Sequence, residues 1–206
     1  MTITTHKDFL TNTECQLLLA DMDNKSISGT ITNKLNETIG LRKNIDYKLP
    51  CSVLRTILHP KITNLIGSHD IDSGSYIECR QGFGLHTDSH KYLKGCGRPQ
   101  ENPNNHDIGI LIPLSSSPEF YTIFFDYQTM DHIDFDQFTL DDQYRNELSS
   151  EIDHLIPSQR KVAQHLAVRS KFYWNVGDIC VFARSMLHCA ANFNDDLCRK
   201  WIAIFI

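Results

Sequence analysis

The chain has 206 residues, of which 41% are hydrophobic and 22% charged, a composition typical of a globular protein with a sizeable core. Its formal charge of −5, from 25 acidic and 20 basic residues, disfavours a broad nucleic-acid-binding surface. The sequence lacks a run of about 18 apolar residues that could span a membrane, and it lacks an apolar signal-peptide stretch near Met1. We therefore expect a cytoplasmic protein without a membrane or nucleic-acid partner. Seven cysteines without a CxxC pair fit this view, since they argue against a disulfide framework or a structural zinc site.

The N-terminal part of the chain predicts helices with a small amount of strand. Thr11 and Glu14 have the spacing of a capping box, and the apolar residues that follow lie on one face of a helix. Residues 24–44 are polar and contain glycine, which favours one or two strands with loops. Residues 50–65 carry an apolar pattern that Pro60 interrupts, so a second, short helix is expected there.

From Gly74 onward the pattern is typical of strands. The strand-like segments are residues 75–79, 85–89, 107–114, 120–125, 172–174, 179–182 and 201–206. Between residues 125 and 172, apolar residues recur at steps of four, four, four and three from Leu140 to Leu155. This spacing predicts a helix that Pro157 ends. Residues 158–170 favour a further helix.

Strands on both sides of a helical insert indicate one domain over residues 1–206. In this prediction, residues 1–70 form an N-terminal support of helices and strand, and residues 75–126 and 172–206 form the β core. Residues 127–171 form the helical insert, which could act as an active-site lid or a dimer contact. The expected fold class is mainly β with flanking helices, and an antiparallel jelly roll fits the strand count.

The segment that carries chemistry is His86-Thr87-Asp88. On a strand, residues two apart project from the same face, so the imidazole and the carboxylate can hold one side of a metal ion. The third ligand must come from elsewhere, because the three-letter pattern alone also occurs by chance as a surface pair. Non-haem Fe(II) oxygenases use two histidines and one carboxylate, which leaves coordination positions open.

A second block lies near the C-terminus. Gly177-Asp178 predicts a turn, residues 179–182 a buried strand, and His188 the start of the next strand. Arg199 follows His188 by 11 residues, at the start of the terminal apolar strand. This layout can place His188 on the metal and Arg199 deeper in the barrel, where a guanidinium would bind a carboxylate through two parallel hydrogen bonds. Lys200 is the alternative, because both faces of the terminal strand are apolar. We prefer Arg199, since its planar fork suits a buried carboxylate.

Together these blocks resemble the 2-oxoglutarate-dependent Fe(II) oxygenase superfamily, particularly its prolyl-hydroxylase-like branch. The matching residues are Phe9-Leu10-Thr11-Asn12-Thr13-Glu14-Cys15, Tyr76 ten residues before His86, His86-Thr87-Asp88, Gly177-Asp178, Phe182, His188 and Arg199. The resemblance implies a double-stranded β-helix, which is a jelly-roll or cupin-like fold. It also implies Fe(II) as cofactor, with 2-oxoglutarate and O₂ as cosubstrates.

The resemblance assigns roles to five residues. It implies that His86, Asp88 and His188 are the iron ligands, and that Arg199 binds the 5-carboxylate of 2-oxoglutarate. It implies that Tyr76 donates its hydroxyl hydrogen to the same carboxylate. Related halogenases have glycine or alanine in the position of Asp88, so the carboxylate favours hydroxylation or a related oxidation.

Four other side chains are candidates from their positions, each with a structural role as its alternative. Thr122 could direct a hydroxyl toward the cosubstrate, and Arg80 and Arg184 could face an anionic substrate, Arg80 being ranked first. His90 continues the alternation of His86 and Asp88, yet it would lie about 13 Å from His86 on a straight strand. It is therefore expected at the pocket rim, near the substrate, or in solvent.

The predicted function is hydroxylation of a small molecule, such as an amino acid or a related metabolite, with release of succinate and CO₂. One alternative is hydroxylation of a protein side chain such as proline, for which an open groove beside the iron is expected. Another is a cupin-like protein that binds metal without turnover. Nucleic-acid demethylation is disfavoured, because the charge is −5 and the last strand carries only Lys200 as an extra cation. The oligomeric state, including a homodimer, stays open.

Overall fold

The computed structural model describes residues 3–32, 37–45, 52–68, 71, 73–88, 108–129, 133–139, 144–194 and 196–206. Predictions made for His90 and for the N-terminal end of the 140–155 helix lie outside the described residues. The five cysteines within these ranges have free thiols, and four of them are buried.

The described residues form ten strands and three α-helices. In chain order these are β1 (Thr4–His6), α1 (Asn12–Asn24), β2 (Gly29–Thr32), β3 (Thr38–Asn44), α2 (Val53–Ile66), β4 (Ser73–Cys79), β5 (Ile108–Pro113), β6 (Tyr121–Gln128), α3 (Pro157–Gln164), β7 (Val168–Tyr173), β8 (Ile179–Ala183), β9 (Met186–Ala190) and β10 (Arg199–Phe205). A short 3₁₀ helix, Ser150–Ile152, precedes α3.

The strands form two antiparallel sheets. The major sheet has the order β1-β8-β5-β10-β4-β3-β2, and the minor sheet has the order β7-β6-β9. Consecutive strands β5 and β6 belong to different sheets, as do β8 and β9, so the chain crosses between the sheets repeatedly. This is the arrangement of a jelly roll, and the predicted fold class is confirmed.

The two N-terminal helices cover the outer face of the major sheet. Leu18 and Met22 of α1 and Leu58 and Ile62 of α2 belong to one buried apolar cluster with strand residues that include Ile202. The predicted capping box is present at the start of α1. The second helix is longer than predicted, because it continues through a proline, Pro60, for 14 residues in all. Proline removes one main-chain hydrogen bond, and burial of the apolar face on both sides of it keeps the helix continuous.

The insert packs behind the minor sheet. Leu148, Ile152 and Leu155 share a buried cluster with Leu85 and with residues of β6 and β9. The predicted helix from 140 to 155 is wrong, since described residues 144–149 are not helical and only the short 3₁₀ turn follows. Leu148, Ile152 and Leu155 are buried as the spacing suggested, but by an irregular backbone, whereas Tyr144 is 41% exposed.

Helix α3 begins where the predicted helix was to end. Pro157 is its first residue, a position that suits a residue without an N–H group. The helix ends at Gln164 and a strand begins at Val168, so the further helix predicted over residues 158–170 is shorter than expected. The side-chain amide of Asn146 donates to the carbonyls of Ala163 and Leu166, at 2.6 and 2.7 Å, and thereby holds the end of α3.

The space between the two sheets is lined by large aromatic side chains. Trp174 and Phe124 of the minor-sheet side meet Phe182 and Trp201 of the major sheet in a second buried cluster. Along β10, Trp201 belongs to this inner cluster and Ile202 to the helix-covered one, as strand alternation requires. Arg199, two residues before Trp201, therefore faces the space between the sheets.

Candidate metal and carboxylate site

His86 and His188 lie opposite each other on adjacent extended segments. The main-chain N–H of each donates to the carbonyl of the other, both at 2.9 Å. Residues paired directly across two strands project from the same face, and the two imidazole rings have their centroids 4.4 Å apart. The structure thus brings these two predicted ligands together.

Asp88 completes the group. Its Oδ1 lies 3.6 Å from His86 Nε2, and its Oδ2 lies 3.4 Å from His188 Nε2. One ligand atom from each residue can be chosen so that all three lie within 4.8 Å of one another. A metal ion with bonds of about 2 Å fits between atoms at these separations.

Both imidazoles are oriented by hydrogen bonds from the ring nitrogen that faces away from Asp88. His86 Nδ1 lies 2.6 Å from the carbonyl of Gly84, and His188 Nδ1 lies 2.9 Å from the carbonyl of Met186. A carbonyl only accepts, so each Nδ1 carries the hydrogen and each Nε2 presents its lone pair to the site. Burial, and next the nearby His86, lower the pKa of His188 to about 4, which keeps this ring neutral.

The backbone of Asp88 is held by Arg184, in the turn between β8 and β9. Asp88 N–H donates to the Arg184 carbonyl at 2.8 Å, and Arg184 Nε donates to the Asp88 carbonyl at 2.9 Å. The buried guanidinium also lies 4.7 Å from the centre of the Phe205 ring. Arg184 thus contacts the main chain of Asp88, a predicted metal ligand, and its contact with an anionic substrate stays a prediction.

Arg199 is a buried cation surrounded by aromatic rings. Its guanidinium carbon lies 3.9 Å from the ring centre of Trp174, 5.0 Å from that of Trp201 and 5.5 Å from that of Phe193. Its Nε and Nη1 are buried and have no hydrogen-bond partner among the described residues. Burial lowers the pKa of Arg199 to about 9. Unpaired N–H groups on a buried cation fit an anionic ligand, because such a ligand would compensate the lost hydration.

Lys200 faces the opposite side of the sheet. Its Nζ lies 3.6 Å from a carboxylate oxygen of Asp23 and 3.8 Å from one of Glu78. Its charge therefore already has carboxylate partners outside the barrel. The two placements favour Arg199 as the residue that binds a carboxylate between the sheets.

No protein-family model matches the sequence, and no curated protein sequence matches it. Solved structures do match its fold. The epimerase SnoN, in complex with Fe³⁺, α-ketoglutarate and nogalamycin RO, gives a TM-score of 0.63 at 13% identity, covering 98% of this chain and 77% of that one. HygX from Streptomyces hygroscopicus, with nickel, 2-oxoglutarate and hygromycin B bound, gives 0.57 at 12% identity, covering 98% and 81%. A Pseudomonas putida prolyl-4-hydroxylase gives 0.54 at 11% identity, covering 98% and 90%.

The chain has the fold of the 2-oxoglutarate- and iron-dependent oxygenases. The resemblance drawn from the sequence motifs is thus confirmed for the fold. Within the described parts of this oxygenase fold, no helix is long and apolar enough to cross a membrane.

The predicted hydrogen bond from the Tyr76 hydroxyl to the 5-carboxylate of 2-oxoglutarate is wrong. Tyr76 is fully buried on the helix-covered face of β4, where its hydroxyl donates to Asp21 Oδ2 at 2.9 Å. In the sheet register Tyr76 pairs with Ile202, whereas Arg199 pairs with Cys79. Residues three apart on a strand project from opposite faces, so the Tyr76 hydroxyl and the Arg199 guanidinium lie on different sides of the major sheet.

Thr122 lies on the inner face of β6. It is two residues from Phe124, which pairs with His188, so these side chains share a face. The Thr122 hydroxyl oxygen accepts a hydrogen bond from Trp174 Nε1 at 3.1 Å. Trp174, which the sequence placed only in a predicted strand, therefore touches both Thr122 and Arg199.

Arg80 is exposed directly after β4, and its main-chain N–H donates to the carbonyl of Ile39 at 2.9 Å. Its substrate contact stays a prediction, and that of His90 lies outside the described residues.

Phe193 and Gln159, which the sequence did not single out, contact the site from distant segments. Neither belongs to a local motif, so only tertiary contacts identify them.

Proposed function

We propose that this protein is an Fe(II)- and 2-oxoglutarate-dependent dioxygenase that hydroxylates a small molecule with release of succinate and CO₂. The observation that carries the proposal is the combination of two sites on the inner face of the barrel. One is the His86, Asp88 and His188 group, and the other is a buried Arg199 with unpaired N–H groups. A structural zinc site would not require a buried arginine with unpaired N–H groups, and an apolar core would require neither this arginine nor the metal-ligand group.

The donor set fits Fe(II). Two neutral imidazole nitrogens and one carboxylate are the ligands of the facial triad in non-haem iron oxygenases, which leaves positions for other ligands. The side chains of His86 and Asp88 are 38% and 18% exposed, whereas that of His188 is 6% exposed, so the group opens to solvent on one side. When bound, the iron and its 2-oxoglutarate would supply the oxidising chemistry with O₂.

Arg199 would bind the 5-carboxylate of 2-oxoglutarate. Its unpaired Nε and Nη1 hydrogens can form hydrogen bonds to the carboxylate oxygens, and the three aromatic rings keep water from this charge pair. Thr122 would add a third donor. Because its oxygen accepts from Trp174, its own hydroxyl hydrogen remains available for the same carboxylate.

The small-molecule substrate is supported by two structural neighbours. SnoN was solved with nogalamycin RO, and HygX with hygromycin B. The alternative is a protein prolyl hydroxylase, which the likeness to the Pseudomonas putida prolyl-4-hydroxylase supports. The two are distinguished by substrate rather than by the metal or the cosubstrate.

The test is succinate formation from 2-oxoglutarate under air, with Fe(II) and ascorbate, against amino acids, other metabolites and proline-containing peptides. A metabolite that increases succinate formation and gains one oxygen atom from ¹⁸O₂ supports the proposal. Stimulation by peptides alone selects the protein hydroxylase. If the wild type forms no succinate and binds neither Fe(II) nor 2-oxoglutarate, the oxygenase proposal fails and a cupin-like binding protein becomes the better account.

A further inference from the structure

The segment that carries two of the proposed metal ligands has little sheet around it. Residues 84–88 follow β4 and meet β9 only at an isolated bridge between His86 and His188. β9 is the last strand of the minor sheet, so among the described residues no strand pairs with the other edge of this segment. Metal affinity nevertheless requires the ligand atoms to be held within about 0.5 Å of their working geometry.

Two buried side chains bond to main-chain carbonyls on either side of His86. Arg184 Nε donates to the carbonyl of Asp88 at 2.9 Å, and Gln159 Nε2 donates to the carbonyl of Leu85 at 3.2 Å. Arg184 is 3% exposed and Gln159 is 7% exposed. They come from different elements, the β8–β9 turn and helix α3 of the insert. Together we name them the backbone bracket.

Arg184 ties Asp88 to the core of the barrel. The contact is reciprocal, because the Asp88 N–H also donates to the Arg184 carbonyl at 2.8 Å. The stacking of the guanidinium on Phe205 joins the same point to the C-terminal strand β10. The peptide groups on both sides of the Asp88 side chain are therefore fixed by one residue.

Gln159 acts at the other end of the segment. A Cβ atom on Gly84 would lie 3.1 Å from Gln159 Oε1, so the absence of a side chain at Gly84 permits this close approach. The Gly84 carbonyl is the group that holds the His86 ring through Nδ1. Gln159 thus packs against the residue that orients one ligand and bonds to the residue directly before that ligand.

We propose that Arg184 and Gln159 are positioning residues of the metal site, which hold the His86-Thr87-Asp88 backbone so that its two ligands converge on His188. The inference rests on the metal site of the proposed function. The role of the insert then differs from the predicted lid, because Gln159 of α3 holds the ligand segment in place from behind the minor sheet. Without the bracket, part of the metal-binding free energy is consumed in ordering this segment.

The test compares matched variants of the bracket. Arg184→Met keeps an unbranched side chain that reaches as far as Arg184 Nε but has no donor. Arg184→Gln has an amide nitrogen the same number of bonds from Cα as Arg184 Nε. Gln159→Met removes the second donor. Arg169→Met is the control, since Arg169 is an exposed arginine whose ion pair with Asp126 lies on the surface.

Dissociation constants for Co(II) are measured by titration calorimetry without 2-oxoglutarate, and the visible spectrum of bound Co(II) reports the ligand geometry. The melting temperature of each metal-free variant shows that it is folded. We expect Arg184→Met and Gln159→Met to raise the dissociation constant about 10-fold or more and to change the Co(II) spectrum. Arg184→Gln should recover most of the affinity, and Arg169→Met should equal the wild type.

Wild-type affinity in folded Arg184→Met and Gln159→Met overturns the positioning role and leaves the proposed function intact. The positioning role also fails if Arg184→Gln binds as weakly as Arg184→Met, since the donor would then be irrelevant. If Arg184→Met does not fold, Gln159→Met and Arg184→Gln decide by the same criteria. A wild type that binds no Co(II) refutes both the bracket and the metal site of the proposed function.

Discussion

Replacing Arg199 by methionine should leave the ligand-free protein at least as stable as the wild type. Burial lowers the pKa of Arg199 from an ordinary value of 12.5 to about 9. At about 1.4 kcal/mol for each pH unit, the charged form loses about 5 kcal/mol on folding. Stacking on Trp174, at 3.9 Å, returns about 2 kcal/mol of this in a desolvated site. The net effect is a destabilisation of about 3 kcal/mol. Methionine, a shorter apolar side chain, removes it at a cost of about 1 to 2 kcal/mol for the space that the guanidinium leaves.

Arg199→Met should also bind 2-oxoglutarate much more weakly than the wild type. Removing one partner of a buried charge pair costs about 2 to 5 kcal/mol, so the affinity for 2-oxoglutarate should fall about 30-fold or more. The assay is thermal unfolding with and without Mn(II) and 2-oxoglutarate, together with urea unfolding of the metal-free protein. We expect the wild type to gain stability from 2-oxoglutarate and Arg199→Met to gain much less at the same concentration. A metal-free variant that is less stable by about 2 kcal/mol, and that still responds to 2-oxoglutarate, would show that Arg199 serves the core and not a carboxylate.

Three further outcomes follow from the contacts. Lys200→Met, measured by calorimetry, should bind 2-oxoglutarate within about two-fold of the wild type, since its partners lie outside the barrel. Tyr76→Phe should lower the free energy of unfolding in urea by about 1 kcal/mol through the lost bond to Asp21, with unchanged 2-oxoglutarate affinity. The pKa of His188 is about 4 in the folded metal-free protein against 6.5 when unfolded, so its contribution to stability is complete above pH 6.5 and is lost as the pH falls toward 4. The free energy of unfolding in urea should therefore depend less on pH in metal-free His188→Gln than in the wild type across this range. An equal pH dependence in the two proteins would contradict the lowered pKa of His188.

The metal group was accessible to sequence reasoning because its geometry is mostly local. Two residues of one extended segment, His86 and Asp88, share a face by strand alternation alone. His188 required the further expectation that a later strand lies alongside, which the short turn before it made plausible. The structure brings the three together, and the preference for Arg199 over Lys200 agrees with the alternation of β10.

The errors arose where a tertiary contact decided the outcome. Tyr76 matched the motif in spacing, yet the face it occupies depends on how β4 is covered by α1, and Asp21 lies 55 residues away. The spacing from Leu140 to Leu155 was helical, but Leu148 and Leu155 are buried by an irregular chain that Asn146 anchors to α3. Periodicity reports which side chains are buried more reliably than which backbone buries them.

The contacts of Arg184 could not be predicted for a related reason. Its hydrogen bond to the Asp88 carbonyl joins residues 96 positions apart and involves a main-chain atom. Every residue type has this carbonyl, so the sequence does not indicate which residue accepts the bond. The same holds for Gln159, whose partner carbonyl is 74 residues away. An arginine near a proposed active site suggested an anionic substrate, and only the fold places it against the protein's own backbone.

In the proposed function, one inner face of this barrel binds Fe(II) through His86, Asp88 and His188 and binds 2-oxoglutarate through Arg199. The most direct test is the weak visible metal-to-ligand charge-transfer band on anaerobic mixing of the metal-free protein with Fe(II) and 2-oxoglutarate. We expect the band in the wild type and in Lys200→Met, its absence in His86→Ala, and a need for far more 2-oxoglutarate in Arg199→Met. A wild type without the band and without affinity for 2-oxoglutarate, or a band that survives unchanged in His86→Ala, would contradict the proposed function.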